Sequence, residues 1–361
     1  MHNTENFQET VRALSCPYCD QKFSGIYQLQ KKEGKVFGYV RCSCDEFPIV
    51  RNILYLKKDI FLRNRHSVFE IKKGNLVEAT ALLIEGYTKL ETTFMQLLVR
   101  KKLLSKRAIP VIFQILGLIN PEYASWYRYI LSRTSRVTFV LSLLNTQLCR
   151  SSSTVLDVGC GFSHFLNYVH KQFKTKALFG VDERFFLLYF STHYFSELPV
   201  FYICQDVNIG LPFREELFDF IFCNDAFMYL FQKMRVIKSL SNTLKKKGYL
   251  FLSHVHGDSK DNFAEGYGVT LAQMELYRQK LSLVGLADKK ILEHMLHHEK
   301  TVLVPPSKMD QRAVAYTFCM RKVRQLKLQL FFPTALHNVI DEGKLNYDTE
   351  VFHISKTKLA S

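Results

Sequence analysis

The rhythm of apolar and polar positions changes twice along the chain. Between residues 14 and 60 apolar residues alternate with polar ones, at Ile26 and Leu29 and then through Phe47, Ile49, Val50, Ile53, Leu54 and Leu56. That rhythm predicts a small β-rich module. Residues 67–150 read as helical. Leu76, Ala79, Leu82 and Leu83 recur at helix spacing, and a second helix is predicted over Thr88–Lys102. Pro110 and Pro121 punctuate the rest of that segment. From Thr154 onward, short β-branched or aromatic runs alternate with helix-length stretches, which predicts βαβ units and a parallel sheet. The longest apolar runs, Val111–Leu118 and Val137–Leu144, fall short of the ~20 residues that a membrane span needs.

The ends of these predicted strands carry the polar chemistry. Thr154–Val158 runs into Gly159-Cys160-Gly161-Phe162-Ser163-His164, a glycine turn leading into a helix through about Phe173. Glycines there permit a tight turn and let a ligand touch bare backbone. A second strand ends at Asp182, a third near Asp206, a fourth at Asn224-Asp225 and a fifth at His254-Val255-His256. In open α/β sheets ligands bind in the crevice outside the carboxyl ends of the strands. Each feature also has a plainer reading: a simple turn for the glycines, a surface acid for Asp182, a surface acid or helix cap for Asp206.

The order of these segments resembles the class I S-adenosylmethionine-dependent methyltransferases. Val155-Leu-Asp-Val-Gly-Cys-Gly resembles their first motif, and Leu211-Pro-Phe with Phe218-Asp-Phe-Ile-Phe-Cys resembles the segment around their fourth strand. Leu244-Lys-Lys-Lys-Gly-Tyr-Leu resembles the approach to strand five. The likeness spans about residues 150–257 and implies a Rossmann-like α/β sheet with S-adenosylmethionine as cofactor. It implies a cofactor-contacting set of Asp157, Gly159, Cys160, Gly161, Asp182, Asp206 and Asn224, with Asp182 on the ribose hydroxyls and Asp206 near the adenine amino group. One departure stands out: the third small position of the glycine loop is Ser163, where many relatives carry glycine. The spacing also lacks the full Gly-x-Gly-x-x-Gly of nicotinamide enzymes.

Methyl transfer asks mainly for alignment of nucleophile, methyl carbon and leaving sulfur. A hydroxyl acceptor also needs a proton acceptor, and a histidine suits that task near neutral pH. His254 and His256 share one face of the fifth strand, and Asp225 and Tyr229 come just after the fourth; these four are the candidate catalytic residues. His164, beside the glycine turn, is a weaker candidate. The plainer reading of both strand-five histidines is a packed or hydrogen-bonded side chain.

Four of the nine cysteines lie near the start of the chain, as Cys16-x2-Cys19 and Cys42-x-Cys44. Two close pairs of thiolates can close a tetrahedral zinc site. The segment, with Phe47-Pro-Ile-Val, resembles the zinc ribbons related to the small activator protein of tRNA methyltransferases, although its second pair is one residue short. The alternative is a ribbon that keeps its shape with reduced cysteines. An odd cysteine number, unevenly placed, fits a reducing cytosol better than a disulfide framework. The start of the chain shows no basic and apolar leader pattern.

Charge adds one more expectation. The chain is basic, with a net charge of +16, and the excess leans toward residues 67–150, around Arg100-Lys101-Lys102 and Lys106-Arg107. A basic face can attract RNA or an anionic membrane surface, but interleaved aromatics are missing, and a solvated helix face is the plainer reading. The expected organisation is a zinc-ribbon-like module at 1–60, a helical segment at 61–150, the Rossmann-like methyltransferase domain at 151–325 and an extension at 326–361. The helical segment and an insert at Asp258–Leu286 are expected to cover the acceptor site. The expected function is cytoplasmic methylation of an oxygen or nitrogen of a small molecule or glycan precursor. RNA methylation and a non-catalytic scaffold are the alternatives, and the oligomeric state is not encoded in these patterns.

Overall fold

A computed structural model describes residues 4–258, 266–278, 281–297 and 299–331. After helix α1 (Thr4–Arg12) come strands β1 (Tyr27–Lys32), β2 (Lys35–Arg41), β3 (Glu46–Val50) and β4 (Ile53–Tyr55). Six helices come next: α2 (Arg63–Lys72), α3 (Leu76–Ala81), α4 (Lys89–Arg100), α5 (Ala108–Ile119), α6 (Ala124–Ser132) and α7 (Val137–Leu144). The alternating part runs β5 (Thr154–Val158), α8 (His164–Phe173), β6 (Ala177–Asp182), α9 (Phe185–Tyr194), β7 (Val200–Cys204), β8 (Phe218–Asn224), α10 (Lys233–Thr243) and β9 (Leu244–His256). Last come α11 (Leu271–Tyr277), β10 (Ser282–Ala287), α12 (Asp288–Leu296), β11 (Thr301–Leu303), β12 (Ala315–Arg321) and β13 (Leu328–Leu330).

One large sheet organises the molecule, in the order β1-β2-β3-β4-β7-β6-β5-β8-β9-β12-β10. Its centre, β7-β6-β5-β8-β9, is parallel, and β12 enters antiparallel between β9 and β10. The parallel strands are nearly continuous apolar runs because helices bury both of their faces. On β8, Phe220 and Phe222 point into one core layer while Ile221 and Cys223 point into the other. The chain leaves β5 toward β6 on one side and returns to β8 on the other, so the switch point lies at the carboxyl end of β5.

The β-rich start of the chain does not form a sheet of its own. Its strand β4 pairs in parallel with β7 through Ile53, Leu54 and Tyr55. The edge strand of the parallel sheet is thereby covered, which satisfies a row of backbone groups that would otherwise face solvent. The helical segment behaves as its pattern predicts. Thr88 caps α4 in a reciprocal pair with Glu91, and Pro110 falls in the first turn of α5, where a missing N–H costs nothing. The run Val137–Leu144 is buried on every side, as a helix apolar all round must be. Among the described residues no helix is long and apolar enough to cross a membrane. Most of the predicted extension, from residue 332 onward, lies outside the described residues, as do 259–265 of the predicted insert.

Candidate cofactor and acceptor site

The turn after β5 places three left-handed residues at alternate positions: Gly159 at φ +72°, Gly161 at +49° and Ser163 at +63°. A side chain at Gly159 would press into Ala226, its Cβ only 2.5 Å from that of the alanine, so the loops after β5 and β8 meet there. At Gly161 an added Cβ would meet nothing within 4 Å, which leaves open space against bare backbone. Ser163 accepts the strained conformation in place of glycine; it is fully buried, and its Oγ has no hydrogen-bond partner. Cys160 turns its thiol inward, where it sits against Gly180, and burial pushes its pKa up. Any ligand in the crevice would therefore meet its backbone.

Asp182, at the end of β6, faces this loop. One carboxylate oxygen accepts the Gly161 N–H and the other the Arg184 N–H, each at 2.9 Å. Each oxygen keeps a lone pair, so the carboxylate can still accept two donors. Burial raises its pKa. Asp157 on β5 is buried, and among the described residues one of its oxygens and both side-chain polar atoms of Asn224 on β8 find no partner. Unsatisfied polar groups of this kind are uncommon in folded proteins, and a water, an ion or a ligand can complete their bonding. Asp206, after β7, behaves differently. Its carboxylate caps a short turn by accepting from Asn208, whose own amide oxygen holds the backbone of Phe231 and Gln232. In this structure Asp206 ties the loop after β7 to the loop after β8.

The other half of the crevice is gathered from distant segments. A bulge on β9 sets Ser253 and His254 opposite the single residue Thr317 of β12, and His254 takes φ +55°. Its Nδ1–H donates to Asp288 at 2.8 Å, and the Thr317 hydroxyl donates to the other oxygen of the same carboxylate at 2.7 Å. Asp288 opens α12, where the helix dipole favours a negative charge. His256 stands edge-on to His254, with ring centroids 4.9 Å apart. Asp225 joins them: ligand atoms of Asp225, His254 and His256 lie within 4.8 Å of one another.

The helical segment roofs this cluster. Tyr129 of α6 donates its hydroxyl to Asp225, and Arg133 pairs with the same carboxylate at 3.2 Å. Phe113 of α5 packs edge-on against Phe162 of the glycine loop. Tyr267, of the insert, donates its backbone N–H to Met228, and Val269 donates to the carbonyl of His256, so the insert borders the same region. The electrostatics are set by these neighbours. Burial works most strongly against the Asp225 charge, but Arg133, His254, the Tyr129 hydroxyl and His256 together outweigh it and lower the pKa. Burial disfavours the His254 cation too, yet the Asp288 bond and the Asp225 charge raise its pKa above the ordinary histidine value. His256 has no such partner; burial, then the His254 charge, push it down to about 4.

Not every predicted residue reaches this cluster. Tyr229 is half exposed on a short turn. His164 points its Nε2 at the Ile130 carbonyl, 2.9 Å away, and burial takes its pKa down to about 4, so it stitches α8 to α6 as a neutral ring. Conversely, Asp288, Thr317, Tyr129 and Arg133 were not among the predicted site residues. Asp288 stands 34 residues beyond its histidine, and no local spacing signals the pair.

At the other end of the chain the four cysteine sulfurs converge. Cys16 and Cys44 lie 3.6 Å apart and Cys42 and Cys44 3.2 Å, and all four sulfurs fall within 4.8 Å of one another. Zinc–sulfur bonds of ~2.3 Å at tetrahedral angles place sulfurs ~3.8 Å apart, so the set has the dimensions of a closed site. Lys58 donates to the Cys44 sulfur at 3.2 Å.

Residues 156–252 match a family described as a methyltransferase domain. No curated protein matches the chain. Among solved structures, it is similar to the YcgJ protein of Bacillus subtilis, with 15% identity, a TM-score of 0.37, and cover of 51% of this chain and 98% of that one. It is similar also to a phosphoethanolamine N-methyltransferase of Haemonchus contortus in complex with S-adenosyl-L-methionine, with 14% identity, a TM-score of 0.39 and cover of 50% of each chain. A TehB-like methyltransferase of Corynebacterium glutamicum gives 16% identity, a TM-score of 0.40, and cover of 56% of this chain and 97% of that one. The family match covers the stretch that contains the glycine loop and strands β6, β7 and β8, and marks residues 156–252 as a methyltransferase domain.

Proposed function

We propose that the chain methylates an oxygen or nitrogen of a small molecule or glycan precursor, held in a closed site beside the cofactor. The observation that carries this reading is the buried His254–Asp288–Thr317 chain next to Asp225, roofed by Tyr129 and Arg133. An enclosed polar cluster suits an acceptor that fits inside the protein. A polynucleotide would need an open groove lined with cations. Arg100, the first of the basic run, is already committed to Glu78 through two bonds of 2.8 Å.

The residues fit S-adenosylmethionine. Asp182 has lone pairs for two ribose hydroxyls, the space at Gly161 lets a ligand approach the backbone, and the orphaned atoms of Asp157 and Asn224 await polar partners. Gly159 shapes the turn, Cys160 contributes backbone, and Asp206 holds the loop that borders the adenine side. The bound cofactor supplies an electrophilic methyl group on a sulfonium. The protein aligns the acceptor and removes its proton: His254, with Nδ1 held by Asp288, receives it at Nε2, and Asp288 and Asp225 stabilise the imidazolium formed. His256, neutral, lines the acceptor side.

Purified protein offered a hydroxyl- or amine-bearing small-molecule library with labelled cofactor should transfer methyl to some member. His254→Asn should abolish transfer while S-adenosylhomocysteine still binds. Transfer to structured RNA, and to no small acceptor, would overturn the acceptor class. Cofactor binding without any transfer would favour the scaffold reading. We assign zinc to Cys16, Cys19, Cys42 and Cys44. Protein purified without added metal should carry about one zinc per chain, and Cys42→Ser should lose it. A folded wild type free of zinc would reduce the cysteines to packing.

A further inference from the structure

A second cavity lies at the opposite edge of the sheet. It is formed where the β-rich start, the helical segment and α9 meet, and its volume is about 230 Å³. The topology puts it far from the crevice. Arg51 lies in the turn before β4, which pairs in parallel with β7, so that turn sits at the amino edge of the sheet. Tyr189 lies at the middle of α9 and His193 in its last turn, and the helix starts at the carboxyl end of β6 and runs back. Ligand pockets favour junctions of this kind between structural units.

One wall is apolar, built from Phe37, Leu76, Leu98 and Leu104. The other carries Arg51, His193, Lys32 and Lys102 against a single acid, Glu33. Two atoms of these groups are buried, Arg51 Nε and His193 Nε2, and among the described residues neither has a hydrogen-bond partner. The Arg51 side chain is only 13% exposed, and its bond is to Glu33 at 2.9 Å. Glu33 itself is 66% exposed and can swing away into water. The backbone holds Arg51 in place, because Asn52 exchanges hydrogen bonds with Val36 in both directions, at 3.1 and 2.7 Å. A buried guanidinium with an unused donor beside an apolar wall is matched by an anion that carries hydrocarbon.

We infer that this cavity binds an amphiphilic anion, a carboxylate or phosphate head on a short apolar chain, with Arg51 and His193 on the head. The site is independent of the methyltransferase chemistry, so its failure would leave that reading intact. The test is calorimetry on the full chain with octanoate and octyl phosphate at low salt, against octanol and inorganic phosphate as probes lacking one half. The octyl anions should bind at least tenfold more tightly than either control. Arg51→Gln should weaken them at least tenfold, and Arg51→Lys should restore part of the loss. Should Arg51→Gln fail to fold, the exposed pair Lys32→Gln and Lys102→Gln should still weaken binding several-fold. Equal affinity for octanol and octanoate, or for inorganic phosphate and octyl phosphate, would overturn the proposal. So would unchanged binding in the folded variants.

Discussion

The two halves of the crevice are built in different ways. The half proposed for the cofactor is local: one strand, one turn and one helix, Thr154 to Phe173, with Asp182 closing it from the neighbouring strand. Its conformation is written in backbone angles that few residues tolerate. The half proposed for the acceptor is assembled from side chains on α6, the loop after β8, β9, α12 and β12, brought together only by the finished sheet. A local site is specified by a short motif. An assembled site is specified by the packing of distant elements, and each member is ordinary in its own neighbourhood.

The largest expected effect separates the halves outright. Asp288→Asn keeps the shape but loses the charge that holds and stabilises the His254 cation. Turnover should fall by about 10²–10⁴, the range for a general base, while cofactor affinity stays within twofold. Equal turnover would remove the histidine from proton transfer. The reciprocal change, Asp182→Ala, deletes an acceptor of two ribose hydroxyls. At roughly 1.5–3 kcal/mol for each charged hydrogen bond, cofactor affinity should drop about a hundredfold or more. Calorimetry with S-adenosylhomocysteine reads this without an acceptor.

This difference also explains what the sequence could reveal. The glycine turn, the strand that ends at Asp182 and the alternation of strands and helices were legible, because periodicity and a contiguous motif encode them. So was the pairing of His254 with His256 on one face, since strand alternation requires it. Asp288 was not, because its role depends on a bulge at Ser253–His254 and on where α12 begins. Tyr129 and Arg133 lay in a segment expected to cover the site, but nothing in their spacing said which side chains would reach Asp225. Asp206 was expected as a cofactor contact from its strand-end position, and one oxygen of its carboxylate accepts from Asn208. The pairing of β4 with β7, which joins the β-rich start to the large sheet, leaves no trace in composition.

A pH series sharpens the comparison further. His254 has a raised pKa, so its free-base form dominates only above that value, and turnover should rise with pH through a midpoint above ~6.5. The stability it lends runs the other way. It is fully present below the unfolded histidine value of ~6.5 and is lost as pH rises through the folded one. His254→Gln should flatten both profiles, as read by initial rates and by thermal melts. A midpoint below 6.5 in the wild type would contradict the Asp288 pairing. The smallest effect is expected outside both halves. Replacing Lys101, Lys102, Lys106 and Arg107 together with Gln should change cofactor affinity and small-molecule turnover by less than about twofold, because solvated charges contribute little. A steep salt dependence of RNA binding, lost in this variant, would favour the nucleic-acid acceptor instead.

The claim that the crevice is one site with two separable halves is tested most directly by titrating S-adenosylhomocysteine into wild type, Asp182→Ala and Asp288→Asn. The account expects wild type and Asp288→Asn to bind alike and Asp182→Ala to bind about a hundredfold more weakly. Equal affinity in all three proteins, or no binding to the wild type, would contradict it.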